Sequence, residues 1–443
     1  MAGRHRGEAA VNISTRTLRT RRAVWRGLAW LSATLLALSL AAMLALYFVL
    51  APLPGEWRTA LTLGPLTLQA GVPSLLRLAT APWVAPLLDG TQWASRIGTL
   101  HVRSQADTGG LALHCAPCTL PLQGLGDTPL QLERAELTVQ REQSTLRGRF
   151  SAGAVQGQWQ GELTAQQLQL SLNVPDTAVA DAYALLRSHI PEVARARING
   201  RFSLSARVAL PGGAWQLKPQ IKGFEVSGLG TQALLAAQSH CGPSGPSKAL
   251  APDSTLARAV IAAEDQRFWT HTGYDLKELE AAFDANQTQG RIVRGGSTLS
   301  QQLAKLLITG PERNALRKLR ELLYAADMEQ SLGKARILRL YLENAPWGHG
   351  LCGAHAAAKH YFGVSTQRLA PAQAVWLAAM LHNPGMEARR WAQSGQIDLA
   401  RAQWVAQAVR GVSRRERQRL LAAIGQAADW PAPPLQPTAR PPG

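Results

Sequence analysis

The chain has 443 residues, 46% of them hydrophobic and 17% charged, with a formal net charge of +18. That length carries two or three domains, each with its own core. The positive balance calls for an anionic partner: nucleic acid, a membrane surface or a phosphate-bearing substrate; only 6% of residues are aromatic and no nucleic-acid-binding motif is present, which makes nucleic acid the weakest of the three.

The N-terminus is basic. Arg4, Arg6, Arg16, Arg19, Arg21, Arg22 and Arg26 stand against a single acid, Glu8. Residues 27–50 contain no charge and are dominated by Leu and Ala, with Trp30 and Tyr47 near the ends. At about 1.5 Å per residue such a helix exceeds a bilayer core of roughly 30 Å. The run is too long for a signal-peptide core and lacks a cleavage site of small residues. Residues 1–26 are therefore expected to form a cytoplasmic tail and residues 27–50 a retained single transmembrane helix of the inner membrane, with the rest exported to the periplasmic side. Export permits disulfides. Cys115-Ala-Pro-Cys118 has redox-motif spacing without a βαβ setting, so a small loop-closing disulfide is expected, while Cys352 reads as a buried small hydrophobe.

Residues 52–240 alternate apolar and polar residues in short runs, such as Leu168/Leu170/Leu172/Val174 and Phe202/Leu204. Period two predicts half-buried antiparallel strands, and the segment is read as a β-rich extracytoplasmic domain. Two helices are expected within it, near 73–88 and 176–194, the second capped by Asp176. The segment carries no catalytic constellation and reads as a spacer or interaction module.

Residues 241–253 are linker-like in composition. From 254 to 428 the pattern turns helical. Ser254 or Asp253 can cap a helix ending near Glu264-Asp265, and a helix from 276 to 285 follows. A polar basic loop leads to Ser297 or Thr298, either of which can cap a helix carrying Leu299, Leu303 and Leu306. Over 312–330, Arg313, Arg317 and Glu321 step by four along one face with Arg320 beside them, predicting a basic stripe with one embedded acid. Helices over 334–343, 353–361 and 368–382 and one further helical region complete the segment. Residues 429–443 are Pro-rich and expected to be disordered. The fold class is thus α+β and multidomain: membrane helix, β-rich domain, mainly helical domain.

Glu264 and Glu321 are acids on separate elements of the helical segment, and a pair of carboxyls is the usual equipment of glycosidic chemistry. Lys305, Arg313, Arg317 and Lys318 supply cationic donors suited to phosphate oxygens. Together they suit transfer of a sugar from a phosphate leaving group; the plainer alternative is a set of solvated surface pairs. Ser331-Leu-Gly-Lys334 matches a transpeptidase nucleophile motif, but no partner motif follows it.

At these residues the sequence resembles the glycosyltransferase domain of peptidoglycan polymerases, the family of monofunctional biosynthetic transglycosylases and class A penicillin-binding proteins. Five blocks match in order over residues 255–385. They are Glu264-Asp265-x-x-Phe268-x-x-His271-x-Gly273-x-Asp275, Gly296-Ser297-Thr298-x-x-Gln301-Gln302-x-x-Lys305, Arg317-Lys318-x-x-Glu321, Lys334-x-x-Ile337-Leu338-x-x-Tyr341-Leu342, and Gly353-Ala354-x-x-Ala357-Ala358-x-x-Tyr361-Phe362-Gly363. The resemblance implies a lysozyme-like helical fold acting on lipid II and the nascent glycan strand at the membrane. It implies Glu264 as general base, and Glu321 as the second essential carboxylate, holding a divalent cation (Mg2+ or Mn2+) or organising the cations around it. It further implies that Lys305, Arg313, Arg317 and Lys318 bind the pyrophosphate and that Ser297, Thr298 and Gln301 position substrate. Residues 52–240 are left to contact other cell-wall synthesis proteins. Leu306, Arg339 and Glu343 depart from the family pattern. A lysozyme-like lytic hydrolase and a non-catalytic envelope scaffold are the rival readings.

Overall fold

The computed structural model describes residues 34–41, 43–44, 51–52, 56–63, 66–95, 97–105, 110–120, 129–164, 166–213, 215–239, 241, 250–291, 293–312, 314–426 and 430. The expected tail at 1–26, most of the expected membrane helix, most of the linker and the expected tail at 429–443 apart from Trp430 lie outside them; Trp430 packs against Phe362 and Trp391. Residues 34–41 and 43–44 of that membrane helix are helical. Among the described residues no helix is long and apolar enough to cross a membrane.

The architecture is α+β, an antiparallel sheet followed by a helical unit. Nine strands form the sheet: β1 (Gln92–Ser95), β2 (Gly98–Gln105), β3 (Gly110–Cys115), β4 (Ala135–Glu142), β5 (Thr145–Ala152), β6 (Val155–Leu163), β7 (Leu168–Ala178), β8 (Arg197–Leu210) and β9 (Gln216–Ser227). Each pairs antiparallel with the next strand of the sheet in chain order, and a separate hairpin, Cys118–Leu120 with Leu130–Leu132, intervenes between β3 and β4. Period two sets its faces. One row of partners, Gln158 with Asn173 and Arg149, is polar; the next, Trp159 with Leu172 and Gly148, is apolar. Gly148 is required there. A Cβ on it would lie 1.7 Å from the Thr138 carbonyl oxygen and 2.7 Å from Trp159 Nε1, and Trp159 Nε1 donates to that same carbonyl at 3.1 Å.

The helix expected over 176–194 is shorter than its pattern suggests. Pro175 and Asp176 belong to the end of β7, and the helix covers only Val179–Ala184, followed by a 3₁₀ turn at Pro191–Ala194. Asp176 does not cap it; its carboxylate takes the Arg201 guanidinium from the neighbouring strand. Cross-strand pairing outcompetes the local cap because the ladder of β7 with β8 continues to Ala178. The helix expected over 73–88 likewise closes early, as Val72–Ala79 and a 3₁₀ turn at Ala85–Leu88.

The helical unit comprises α1 (Thr255–Glu264), α2 (Leu276–Gln289), α3 (Leu299–Ala304), α4 (Ala315–Ser331), α5 (Gly333–Asn344), α6 (Ala354–Phe362), α7 (Pro371–Met380), α8 (Pro384–Ser394), α9 (Leu399–Ala408) and α10 (Arg414–Gly425). Caps set its helix starts. Ser254 Oγ accepts from Ala257 N at 3.3 Å, Asp275 from Glu278 N at 3.1 Å and Asn314 from Arg317 N at 2.7 Å. Thr298 and Gln301 form a reciprocal capping box on α3.

The two units share one core. Phe224 and Val226 of β9 and Ile190 and Val193 beside it pack into the same buried cluster as Leu256, Leu323 and Trp376. The sheet buries small clusters of its own, such as Val139, Leu146, Leu163 and Leu168, and its last strand also helps bury the core of the helical unit. Covalent ties add to this. Cys115 and Cys118 are bonded, as expected, and both are buried. Cys352, in contrast to its reading as a plain hydrophobe, is bonded to Cys241, 111 residues earlier. Residue spacing could not reveal that pair, because Cys241 sits in the linker and only the fold brings its Cα within 5.4 Å of Cys352. Closing a loop of that length restricts the unfolded chain, so Cys352→Ser is expected to cost about 2–4 kcal/mol, read as a lower denaturation midpoint whose difference from wild type vanishes when both proteins are measured under reductant.

Candidate active site

Glu264 is the last residue of α1. Its Oε2 accepts from Gln302 Nε2 at 3.0 Å, and Gln302 Oε1 in turn accepts from the Tyr341 hydroxyl at 2.9 Å. Its other oxygen, Oε1, is buried with no hydrogen-bond partner. Burial pushes the Glu264 carboxyl above its ordinary value, against the opposing pull of the Gln302 amide, Arg401 and His382. Arg401 closes this side: Nη2 donates to the Ala263 carbonyl at 3.0 Å, where a cation also suits the helix C-terminus.

Glu321 is buried in α4 between two cations of its own helix. Arg317 Nη1 donates to Oε1, and Lys318 Nζ lies 3.0 Å from Oε2. Lys318 Nζ also donates to Ser297 Oγ at 2.5 Å, joining α4 to the start of α3. Burial, then the charges of Arg317 and Lys305, push the Lys318 amine down to about 8. Lys305 is exposed at the head of a π-type turn, Lys305–Thr309, that continues α3. Helix α3 thus links the carboxylates: Gln302 on it reaches Glu264, and Ser297 before it meets Lys318. Arg313 lies outside the described residues.

Thr298 and Gln301 are buried in the capping box, and Thr298 Oγ1 donates to the Gly273 carbonyl at 2.7 Å, so both hold the loop that frames the site. Arg320 leaves the stripe and turns to the sheet, where Nε and Nη2 donate to Glu192 Oε1 at 2.9 and 2.6 Å. Gln302, Tyr341 and Arg401 were not marked as site residues. Gln302 and Tyr341 stood in the matched blocks, but only tertiary contact shows that they serve Glu264.

Asp265 and His271 lock the first block in place. Asp265 Oδ2 accepts from Leu299 N at 2.9 Å and lies 2.8 Å from His271 Nε2. Gly273 N donates to His271 Nδ1 at 3.1 Å, which leaves the ring proton on Nε2 for Asp265. Gly273 has φ +93°, and a Cβ on it would come within 2.9 Å of the Ala325 backbone of α4.

The donor set does not fit a protein-built metal site. Both Glu321 oxygens already face cations, and among the described residues no group of three or more His, Cys, Asp or Glu could hold an ion.

Residues 247–410 match the transglycosylase family. The biosynthetic peptidoglycan transglycosylase of Nitrosomonas eutropha is 49% identical over 129 residues, covering 29% of this chain and 53% of that protein. The protein of the same name from Alcanivorax borkumensis is 41% identical over 191 residues, covering 42% of this chain and 72% of that protein. The Nitrosomonas europaea protein of that name is 51% identical over 131 residues, 30% of this chain and 54% of its own length. The chain thus spans about half the length of the two Nitrosomonas relatives.

The contrast between Asp265 and Glu264 is measurable as stability. Asp265→Ala strands buried donors and is expected to cost about 3 kcal/mol in chemical denaturation. Glu264→Gln, whose Oε1 is already unpaired, should unfold at or above the wild-type midpoint. Equal midpoints for Asp265→Ala and wild type would contradict the structural role.

Proposed function

The chain belongs to the transglycosylase family, and from that premise we propose that it polymerises lipid II into β-1,4 glycan strands at the outer face of the inner membrane, releasing undecaprenyl pyrophosphate. The observation that carries this reading is the pairing of unlike carboxylates across α3. Glu264 has a free buried oxygen and a raised affinity for protons; Glu321 is embedded in cations. The first suits a general base and the second a site for a phosphate leaving group. The helical unit is read as lysozyme-like, anchored by residues 27–50, with the sheet available to other cell-wall synthesis proteins.

In the proposed step Glu264 takes the proton of the acceptor GlcNAc 4-hydroxyl as that oxygen attacks the donor MurNAc anomeric carbon. The bond to the α-linked pyrophosphate breaks, its electrons stay on the leaving oxygen, and configuration inverts. Lys318, Arg317 and Lys305 offset the developing charge, and Glu321 holds the first two in place. Ser297 fixes Lys318 by its hydrogen bond. A divalent cation (Mg2+ or Mn2+), held mainly by the pyrophosphate oxygens, would add to this compensating charge. A lytic hydrolase would have no use for that cluster, because its leaving group is a sugar hydroxyl.

Purified protein should elongate lipid II, and Glu264→Gln or Glu321→Gln should each reduce the rate by at least about a hundredfold. Persistent polymerisation by either variant would sink its assigned role. The pH profile gives a second check. The base is lost as pH falls through the raised Glu264 value, so the acid limb should lie above the ordinary carboxylate value of about 4.3. The Lys318 charge is lost as pH rises through about 8, giving a basic limb there. Lys318→Arg should move that limb upward; an unchanged limb would remove Lys318 from the account.

A further inference from the structure

The helix that presents Arg317, Lys318 and Glu321 has a second occupied face. Arg320, Tyr324, Asp327 and Ser331 recur at i, i+4, i+7 and i+11, which puts them on one side of α4. Each bonds to the sheet unit. Asp327 accepts from Thr231 N at 3.4 Å and from Leu229 N at 3.5 Å, and Ser331 Oγ lies 2.6 Å from Thr231 Oγ1. The Tyr183 hydroxyl donates to the Leu319 carbonyl at 3.2 Å.

Closest to the site is Glu192. It is 4% exposed, in the 3₁₀ turn that precedes β8. One oxygen takes both the Nε and Nη2 hydrogens of Arg320 and also accepts from the Tyr324 hydroxyl at 3.3 Å; Arg195 Nη2 donates to that hydroxyl at 3.1 Å. Arg320 is the residue directly before Glu321. A charge-assisted, two-pronged bond at this point restrains the helix in both rotation and translation.

We propose that Glu192 is a positioning residue for the leaving-group side of the site, acting through Arg320 to fix the rotation of α4 that presents Arg317, Lys318 and Glu321. This rests on reading that cluster as the pyrophosphate site. It makes the sheet unit a working part of the site, since a carboxylate from outside residues 247–410 sets the geometry within them.

The test uses the full-length protein in detergent with inorganic pyrophosphate as probe, read by calorimetry beside lipid II polymerisation. Glu192→Gln is expected to weaken pyrophosphate binding about fivefold and lower kcat/KM about tenfold, magnitudes typical of an indirect packed network. Thr231→Val, which removes interface bonds of similar kind to Asp327 and Ser331, should lower the unfolding midpoint yet leave pyrophosphate affinity within about twofold. Glu192→Asp keeps the charge but shortens its reach, and should fall between wild type and Glu192→Gln; it also serves should Glu192→Gln not fold. Unchanged pyrophosphate affinity in both Glu192 variants would overturn the inference, as would an equal loss in Thr231→Val, which would mark the contact as general docking. If wild type binds pyrophosphate but does not polymerise lipid II, the functional reading fails, while the affinity series still decides the role of Glu192.

Discussion

One helix has to satisfy two neighbours at once, and the rest of the structure follows from that constraint. Helix α4 turns Arg317, Lys318 and Glu321 to the site and Arg320, Tyr324 and Asp327 to the sheet. A buried carboxylate such as Glu321 is stable only when its charge is met at close range. Arg317 and Lys318 meet it from within the helix, so the cluster's internal geometry depends on little but helical spacing. Its orientation relative to the rest of the site is another matter. The shared core and the Glu192 and Asp327 contacts set that, and they come from segments about a hundred residues away in sequence.

The two glutamates show how neighbours divide labour between chemically identical groups. Glu264 is buried with one oxygen on a neutral amide and the other without a hydrogen-bond partner, and that burial raises its hold on a proton. Glu321 meets two cations and serves as fixed charge. The short helix α3 keeps them apart and connected, with the Thr298–Gln301 capping box giving its first turn no freedom to drift. Asp265 ties that same turn back to the end of α1, joining the element that carries Glu264 to the element that carries Gln302.

Much of this was legible in the chain. Glu264, Gln302, Lys318 and Glu321 stand at fixed offsets within short blocks, and local spacing was enough to put them on neighbouring helices. Period two announced the strands, although the cap signal at Asp176 overstated the helix after Pro175, where pairing with β8 took the residues that a cap would have used. What spacing could not carry was contact between distant segments. Arg320 fits the basic stripe by its step along the helix, yet a carboxylate 128 residues earlier turns it the other way. Cys352 looks like any small apolar residue until Cys241 arrives beside it. The sheet reads as a separate module because its own pattern is complete; only the packing of Phe224 and Val226 shows that its last strand belongs equally to the helical core.

The central claim is transfer of a sugar to a sugar, with Glu264 activating the acceptor and the cations of α4 receiving the pyrophosphate. Its most direct test is the stoichiometry and stereochemistry of a single reaction on labelled lipid II. The account predicts one undecaprenyl pyrophosphate released for each new glycosidic bond, every such bond β-1,4. Release accompanied by free reducing MurNAc ends in place of polymer, or new bonds that keep the α configuration, would contradict it.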